Sequence, residues 1–228
     1  MKTNVTKTNI YTDTKEVSFA NRINIYKLFW IFYIGSFAGV IVETIWCRVT
    51  NGFFENRTAL ILEPLNPIYG LGAVFLLLLT RFKKKNTIFL FILCMIIGGT
   101  FEWLCSFFQE IIYGTVSWKY YSDTFGIFER TSLVYSVFWG ILGIVYIRFF
   151  YPFISTKIEC IPNKTGKILT IFLSILILFD IVFSSGAVLR GQERLKQIPA
   201  NNVIREFYDK HFDDLKLKKI YPHMTSVI

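Results

Sequence analysis

Five apolar stretches, each close to the length that crosses a bilayer, constrain this chain more than any motif in it: residues 24–46, 67–82, 86–113, 132–153 and 167–188. A helix of about 20 residues covers the hydrocarbon core of a membrane. Within or at the ends of these stretches stand Glu43, Glu102, Glu110 and Asp180. An ionised carboxylate at mid-bilayer costs about 2.5–3.5 kcal/mol on insertion scales, so each needs a partner or a water-filled cavity. The expected fold class is all-α and integral to the membrane: a polytopic bundle of about five transmembrane helices with a C-terminal amphipathic tail.

Composition agrees with this reading. Hydrophobic residues make up 53% of the chain and mean hydropathy is +0.46. A soluble domain can reach that apolar fraction, but it interleaves polar residues at a helical or strand period. Here the charges lie in the gaps between apolar blocks. The net charge of +9 invites a nucleic-acid reading, yet the basic residues are spread over loops and form no aromatic-studded patch, so no nucleic-acid partner is expected. Topology explains them better, because short cytoplasmic loops gather Lys and Arg. With the N-terminus inside, thirteen basic residues fall on the cytoplasmic side, against four in the two outer loops: Arg48, Arg57, Lys119 and Arg130. The expected location is therefore the plasma membrane, with several passes, a cytoplasmic N-terminus and lipid as the first partner. The same arrangement puts the tail outside despite its eight basic residues.

Three regions follow. Residues 1–23 are rich in Thr, Asn and Lys and read as disordered; 24–188 form the membrane domain; 189–228 form a soluble tail. The first span holds Gly35 and Gly39, a small-xxx-small face that permits close helix contact. The second opens on Pro64-Leu65-Asn66-Pro67, which breaks any helix there, so an irregular turn at membrane depth is expected before Ile68. Gly98-Gly99 marks a place where the third span can kink. In 202–212, Val203, Ile204, Phe207, Tyr208 and Phe212 fall near helical spacing and predict an amphipathic helix on the membrane or the bundle. The first apolar segment follows a polar stretch too long for a signal peptide's charged region and is expected to stay as an anchor. Cys47, Cys94, Cys105 and Cys160 form no CxxC pair and read as small, membrane-buried residues.

Candidate chemistry gathers in three clusters toward the outer half of the membrane. The first is Glu43, Arg48, Asn56, Arg57 and Glu63; the second is Glu102 with Glu110; the third runs from Trp118 to Arg130. Eight helical steps leave Glu102 and Glu110 about 80° apart in azimuth, near enough to border one cavity. Three roles stay open for these charges: pairing that holds helices in register, a substrate or ion site, or acid–base catalysis. Enzyme signatures are absent. There is no GxxxxGK[ST] phosphate loop, no HExxH and no GxSxG. The two histidines, His211 and His223, lie in the tail without Cys/His ligand spacing. No catalytic residue, cofactor or metal site is expected.

The order of motifs supplies a resemblance. Gly39-xxx-Glu43-Thr44, Asn56-Arg57 and Glu63-Pro-x-x-Pro67-Ile68-Tyr69-Gly70-x-Gly72-Ala73 are followed by Thr100-Phe-Glu102-Trp103, Trp118-x-Tyr120, Arg130 and Trp139-Gly140-x-x-Gly143. Ala187-x-x-Arg190-x-x-x-Arg194 and Ile220-Tyr221-Pro222-x-Met224 continue the pattern in the tail. The chain thereby resembles the ABC-transporter type IV, permease-like family of bacterial membrane proteins, from about Gly39 to Met224. Two positions depart from the pattern: Lys119 stands where relatives often carry Asp, and Glu129 precedes Arg130 in place of Gly.

The resemblance implies a permease component that lacks its own ATPase and works with a separate ATP-binding subunit; five spans are too few for a translocation path in one copy, so a homodimer is expected. Glu43, Arg57, Glu63, Tyr69, Glu102, Trp118 and Arg130 are its candidate polar-cavity residues. The alternative is a membrane-embedded scaffold or regulator, or a small enzyme acting on lipids or envelope precursors.

Overall fold

Capping residues set where the helices begin. Asn24, Asn66, Asn86 and Ser132 each precede an apolar block, and their side-chain oxygens accept first-turn N–H groups from Lys27, Ile68, Ile88 and Tyr135. Each cap satisfies an N–H that would otherwise lack a partner, a contribution of about 1 kcal/mol. The computed structural model describes residues 17–120, 126–127 and 129–227. In it the helices are α1 (Ile25–Asn51), α2 (Pro67–Leu79, prolonged by the 3-10 turn Thr80–Phe82), α3 (Thr87–Tyr113), α4 (Leu133–Val145), α5 (Tyr151–Glu159) and α6 (Asn163–Leu195). A π-helical turn, Tyr146–Phe150, joins α4 and α5 into one rod. Pro152 has no N–H to give the carbonyl four residues back, and the helix widens just before it. Gly52 and Gly114 end α1 and α3 at φ 80° and 64°, where a side chain would be strained.

Four of these elements are long and apolar enough to cross a bilayer: α1, α3, the α4–α5 rod and α6. The fold is therefore an all-α polytopic membrane bundle. The fifth apolar segment is shorter. The Asn66 N–H donates to the Ser36 carbonyl at 3.2 Å. Ser36 lies near the midpoint of α1, which at 27 residues is about 40 Å long. Thus α2 starts at half depth and runs back toward the end where α1 began. Residues 52–66, which form no helix, descend from the opposite end to meet it. The prolines at 64 and 67 made an irregular entry legible; its depth comes from the registry with α1.

Small residues bring the helices together. Gly35 faces Ala73, Gly39 lies under the Tyr69 ring, and Gly70 abuts Ser36 and the Phe32 carbonyl. Between α3 and α4, Gly98 receives Trp139, Gly99 receives Ser136, Gly140 receives Phe91 and Gly143 receives Cys94. Close backbone approach of this kind is how helices associate where lipid is as apolar as leucine. Gly98-Gly99 accordingly serves as a contact, and α3 continues as α-helix through it to Tyr113. Large apolar side chains such as Ile41, Phe89, Ile96, Phe172 and Ile175 point outward, a surface that only a bilayer covers at no cost.

The two ends of the bundle differ. At the basic end lie the start of α1, the turn at 83–86 and the turn at 160–162. Lys27, fully buried, donates to the Ser155 hydroxyl at 2.6 Å and pairs with Glu159, tying α1 to α5. Phe19 packs on Gly166 of α6; positions 1–16 of the stretch expected to be disordered lie outside the described residues. At the tail end, β1 (Thr115–Val116) follows α3, and β2 (Gly126–Ile127) forms a hairpin with β3 (Thr131–Ser132). Beyond α6, α7 (Val203–His211) and α8 (Asp214–Ile220) fold back, with Tyr208, Phe212 and Leu217 against Ala187. Finally β4 (Thr225–Ser226) pairs antiparallel with β1. Of the five residues expected to share one apolar face, Tyr208 and Phe212 are buried against the bundle while Val203 and Ile204 stay exposed.

Candidate functional site

Because α2 fills only half the depth, irregular backbone fills the rest, and its amides need acceptors. Asp180, near the middle of α6 and 1% exposed, supplies them. Its carboxylate accepts the Glu63 N–H at 2.7 Å and the Leu62 N–H at 3.0 Å. The Ser184 hydroxyl, one turn on, donates to Asp180 at 2.9 Å and accepts the Ile61 N–H at 2.9 Å. The acidic residue that had no evident partner in sequence is thus partnered by main chain. The loop it holds carries Glu63, whose Oε1 accepts from the Tyr33 hydroxyl at 3.2 Å, while its Oε2 is buried without a protein partner.

Above the start of α2 a second group collects. Arg57, on the descending stretch, lies 3.6 Å from Glu43 of α1 and 3.5 Å from Glu55. Its other contact is the Cys47 sulfur at 2.6 Å. Tyr69, seated on Gly39 a turn below Glu43, has Glu43 and Arg57 as electrostatic neighbours. Glu102 of α3 is next: its two oxygens accept the Tyr120 hydroxyl at 2.6 Å and the Thr131 hydroxyl at 2.9 Å, and it feels the Glu43 charge. Two carboxylates and one arginine from separate segments therefore share the tail-end half of the bundle.

A third group braces the loop between α3 and α4. Arg130 pairs with Glu110 at 2.6 Å, reaches Ser106 at 3.3 Å and lies over the Phe107 ring. The Trp118 indole donates to the Arg130 carbonyl at 3.0 Å, closing the loop on itself. Glu102 and Glu110, two turns apart on α3, thus both receive this loop, through different side chains. Residues 121–125 of the same cluster lie outside the described residues.

The structure gathers Glu43, Arg57, Tyr69 and Glu102; it sets Trp118 and Arg130 beside Glu110, and Glu63 beside Tyr33 and Asp180. Several partners had no sequence signal. Thr131, Ser106, Ser184 and Tyr33 are ordinary residues that matter only through where the fold puts them. Cys47 reads as a small apolar residue, yet Glu55 and His223 converge on its sulfur end.

Outside the membrane spans, the tail is fixed by ion pairs to the last turns of α6. Arg190, 4% exposed, makes a bidentate contact with Asp209 at 2.9 and 2.8 Å and also reaches Glu193. Arg194 bridges Asp209 and Asp214, and Arg205 pairs with Glu193. Hydrogen bonds from Arg190 first, then Arg194, outweigh desolvation and hold the Asp209 carboxyl down at about 2.

This arrangement can offer paired counter-charges to an ionic or polar solute. Comparison with known proteins agrees with the order of motifs. The model of the family described as "Putative ABC-transporter type IV" matches residues 30–185, which take in α1 to most of α6. No curated protein and no solved structure matches the chain. Since the matched segment is well over half of the sequence and contains all the spans that build the site, the chain belongs to the ABC-transporter type IV family.

Proposed function

We propose that the chain is the membrane-spanning permease subunit of a transport system whose ATP-binding subunit is a separate protein. The observation that carries this reading is the half-length α2, which begins at mid-depth after irregular backbone with Glu43, Arg57, Tyr69 and Glu102 gathered above its start. Many transporters build solute sites near the midplane from discontinuous helices whose ends face charged groups. Family membership supports the same class.

In this reading Glu43 and Glu102 are the counter-charges a solute meets, and Arg57 exchanges Glu43 for the solute. Tyr69 lines the floor, Glu63 steadies the descending loop, and Trp118 with Arg130 braces the rim. Residues 24–188 are the membrane domain of a cell-membrane protein and 189–228 a separate module on the far side. The exposed Arg81, Lys83, Lys84 and Lys85 face the cytoplasm with the N-terminus, where short loops gather positive charge. Four full spans and a half leave little room for a path in one copy, so two copies pair around it.

The test is crosslinking of the tagged protein in native membranes, with partners identified by mass spectrometry. An ATP-binding chain is expected to be recovered, and Glu43→Gln and Glu102→Gln are expected to keep that partner while losing solute movement. Good recovery with no ATP-binding chain, and a deletion strain with unchanged transport and susceptibility, would overturn the reading.

A further inference from the structure

Cys47, Glu55 and His223 come from three segments: the last turns of α1, the loop below it and the C-terminal tail, 168 residues beyond Glu55. Their ligand atoms, a thiol sulfur, a carboxylate oxygen and an imidazole nitrogen, all lie within 4.8 Å of one another. The Cys47 sulfur is 3.5 Å from Glu55 Oε2, and His223 Nε2 touches that same oxygen. Tetrahedral zinc with sulfur at about 2.3 Å and nitrogen or oxygen at about 2.0–2.2 Å separates its ligand atoms by about 3.3–3.8 Å. The sulfur and the carboxylate oxygen already stand at that separation, whereas the imidazole nitrogen, in hydrogen-bond contact with the same oxygen, lies closer than an ion sets and has to swing back to admit one.

The surroundings hold the cluster in place. Cys47 is 1% exposed, so its sulfur is fixed by packing. Asn56, next to Glu55, donates to the Ile220 carbonyl at 2.9 Å, and Thr225 pairs with Val116 two residues past His223. The imidazole is thus anchored on both sides in sequence. His223 itself is 36% exposed, which leaves an entry path and room for a water as fourth ligand. Charge also balances. A divalent ion with a thiolate, a carboxylate and a neutral imidazole is neutral, and Arg57 keeps Glu43 as its counter-ion.

We propose that Cys47, Glu55 and His223 bind one divalent transition-metal ion of the zinc class, clasping the C-terminal tail to the outer end of α1. Thiolate plus imidazole selects against magnesium and calcium, which prefer all-oxygen sites. On binding, the ion replaces Arg57 at the sulfur, and any proton on Cys47 or His223 leaves to solvent. Arg57 then turns wholly to Glu43, so occupancy at the clasp changes the group above α2.

The experiment uses the full chain, purified in detergent without a histidine tag. Equilibrium dialysis against buffered zinc, with metal counted by elemental analysis, is expected to give one ion per chain. His223→Ala and Glu55→Gln are each expected to weaken binding by about tenfold or more, while His211→Ala and Cys160→Ser leave it unchanged. Cobalt in place of zinc is expected to give a thiolate-to-metal charge-transfer band that Cys47→Ser abolishes. Absence of stoichiometric zinc, zinc bound without a cobalt–thiolate band, or equal affinity in His223→Ala overturns the proposal. Should Cys47→Ser fail to fold, the wild-type band and the His223→Ala titration still decide it.

Discussion

The basic-end and tail-end halves of the bundle solve the same problem in different ways. In the basic half, helix meets helix directly: α2 lies against α1 through small residues, and the α4–α5 rod is tied to α1 by the buried Lys27, which donates to the Ser155 hydroxyl and carbonyl. In the tail half, α2 is missing and main chain takes its place. Every amide there needs an acceptor, because an unpaired backbone group at membrane depth costs several kcal/mol. Asp180, Ser184 and the Ser36 carbonyl answer that need. The difference teaches that the acidic residues of this chain are not one population. Asp180 is an internal cap for the loop, whereas Glu43 and Glu102 face arginine and hydroxyl groups that can change partners.

The sharpest way to break that contrast is Asp180→Leu. It orphans the amides of Leu62 and Glu63 and the Ser184 hydroxyl, at about 1–3 kcal/mol for each buried donor left unpaired. Thermal unfolding in detergent is expected to show the largest loss of any single change, with Asp180→Asn falling between. A comparable attack on the apolar half is Gly98→Leu, which drives a side chain into Trp139. Overpacking of this kind costs about 1–3 kcal/mol, and dispersion of the protein on size exclusion is the readout.

Lys27 sharpens the comparison further. Lys27→Met keeps the stem's volume and removes the buried charge, so stability should change little. Lys27→Ala leaves a hole and should cost more, though less than the roughly 3–5 kcal/mol of a fully buried pair, because Glu159 retains access to water. If both variants unfold equally, packing of the stem is not what matters there.

The smallest effect belongs to the tail and is read with pH. The Asp209 carboxyl is lowered from 3.8 to about 2 in the folded chain. A lowered value means that its contribution is fully present above the unfolded value and fades as pH falls from about 4 to about 2. Hydrogen exchange in 203–220 is therefore expected to rise over that window before exchange in the spans does. Arg190→Gln should shrink the pH step, with Arg194 still paired to Asp209 and holding the remainder.

Hydropathy alone located the spans to within a few residues at most ends, because bilayer thickness sets a minimum apolar length for every helix that crosses it. Pro64 and Pro67 made the irregular entry visible for a local reason, the missing N–H and the steric clash of the ring. Other features depended on distance in sequence. Asp180 binds main chain, which carries no residue-type signature. Lys27 counts among the basic flanking residues by position, yet its four-carbon stem lets it lie buried between helices. Gly98-Gly99 reads as a place for a kink, and only Trp139 seen against it reveals a docking surface. Glu43 and Glu102 were visible as candidates because charge in an apolar run is rare, and Arg57 as a charge of the loop that follows the first run. Of the two hydroxyls that hold Glu102, Tyr120 stood in a motif without a stated partner, and Thr131 carried no mark at all.

The main-chain cap on α6 also sets an order of events during synthesis. Leu62 and its acceptor Asp180 are 118 residues apart, a delay of about 6–24 s at elongation rates of about 5–20 residues per second. Until the last span emerges, the amides of Ile61, Leu62 and Glu63 lack their acceptors, and that part of the descending loop must wait at the wet face of the membrane. The first hairpin of the nascent chain is therefore the last to be completed, and a ribosome stalled before Asp180 should leave residues 52–66 open to water-borne thiol or protease probes.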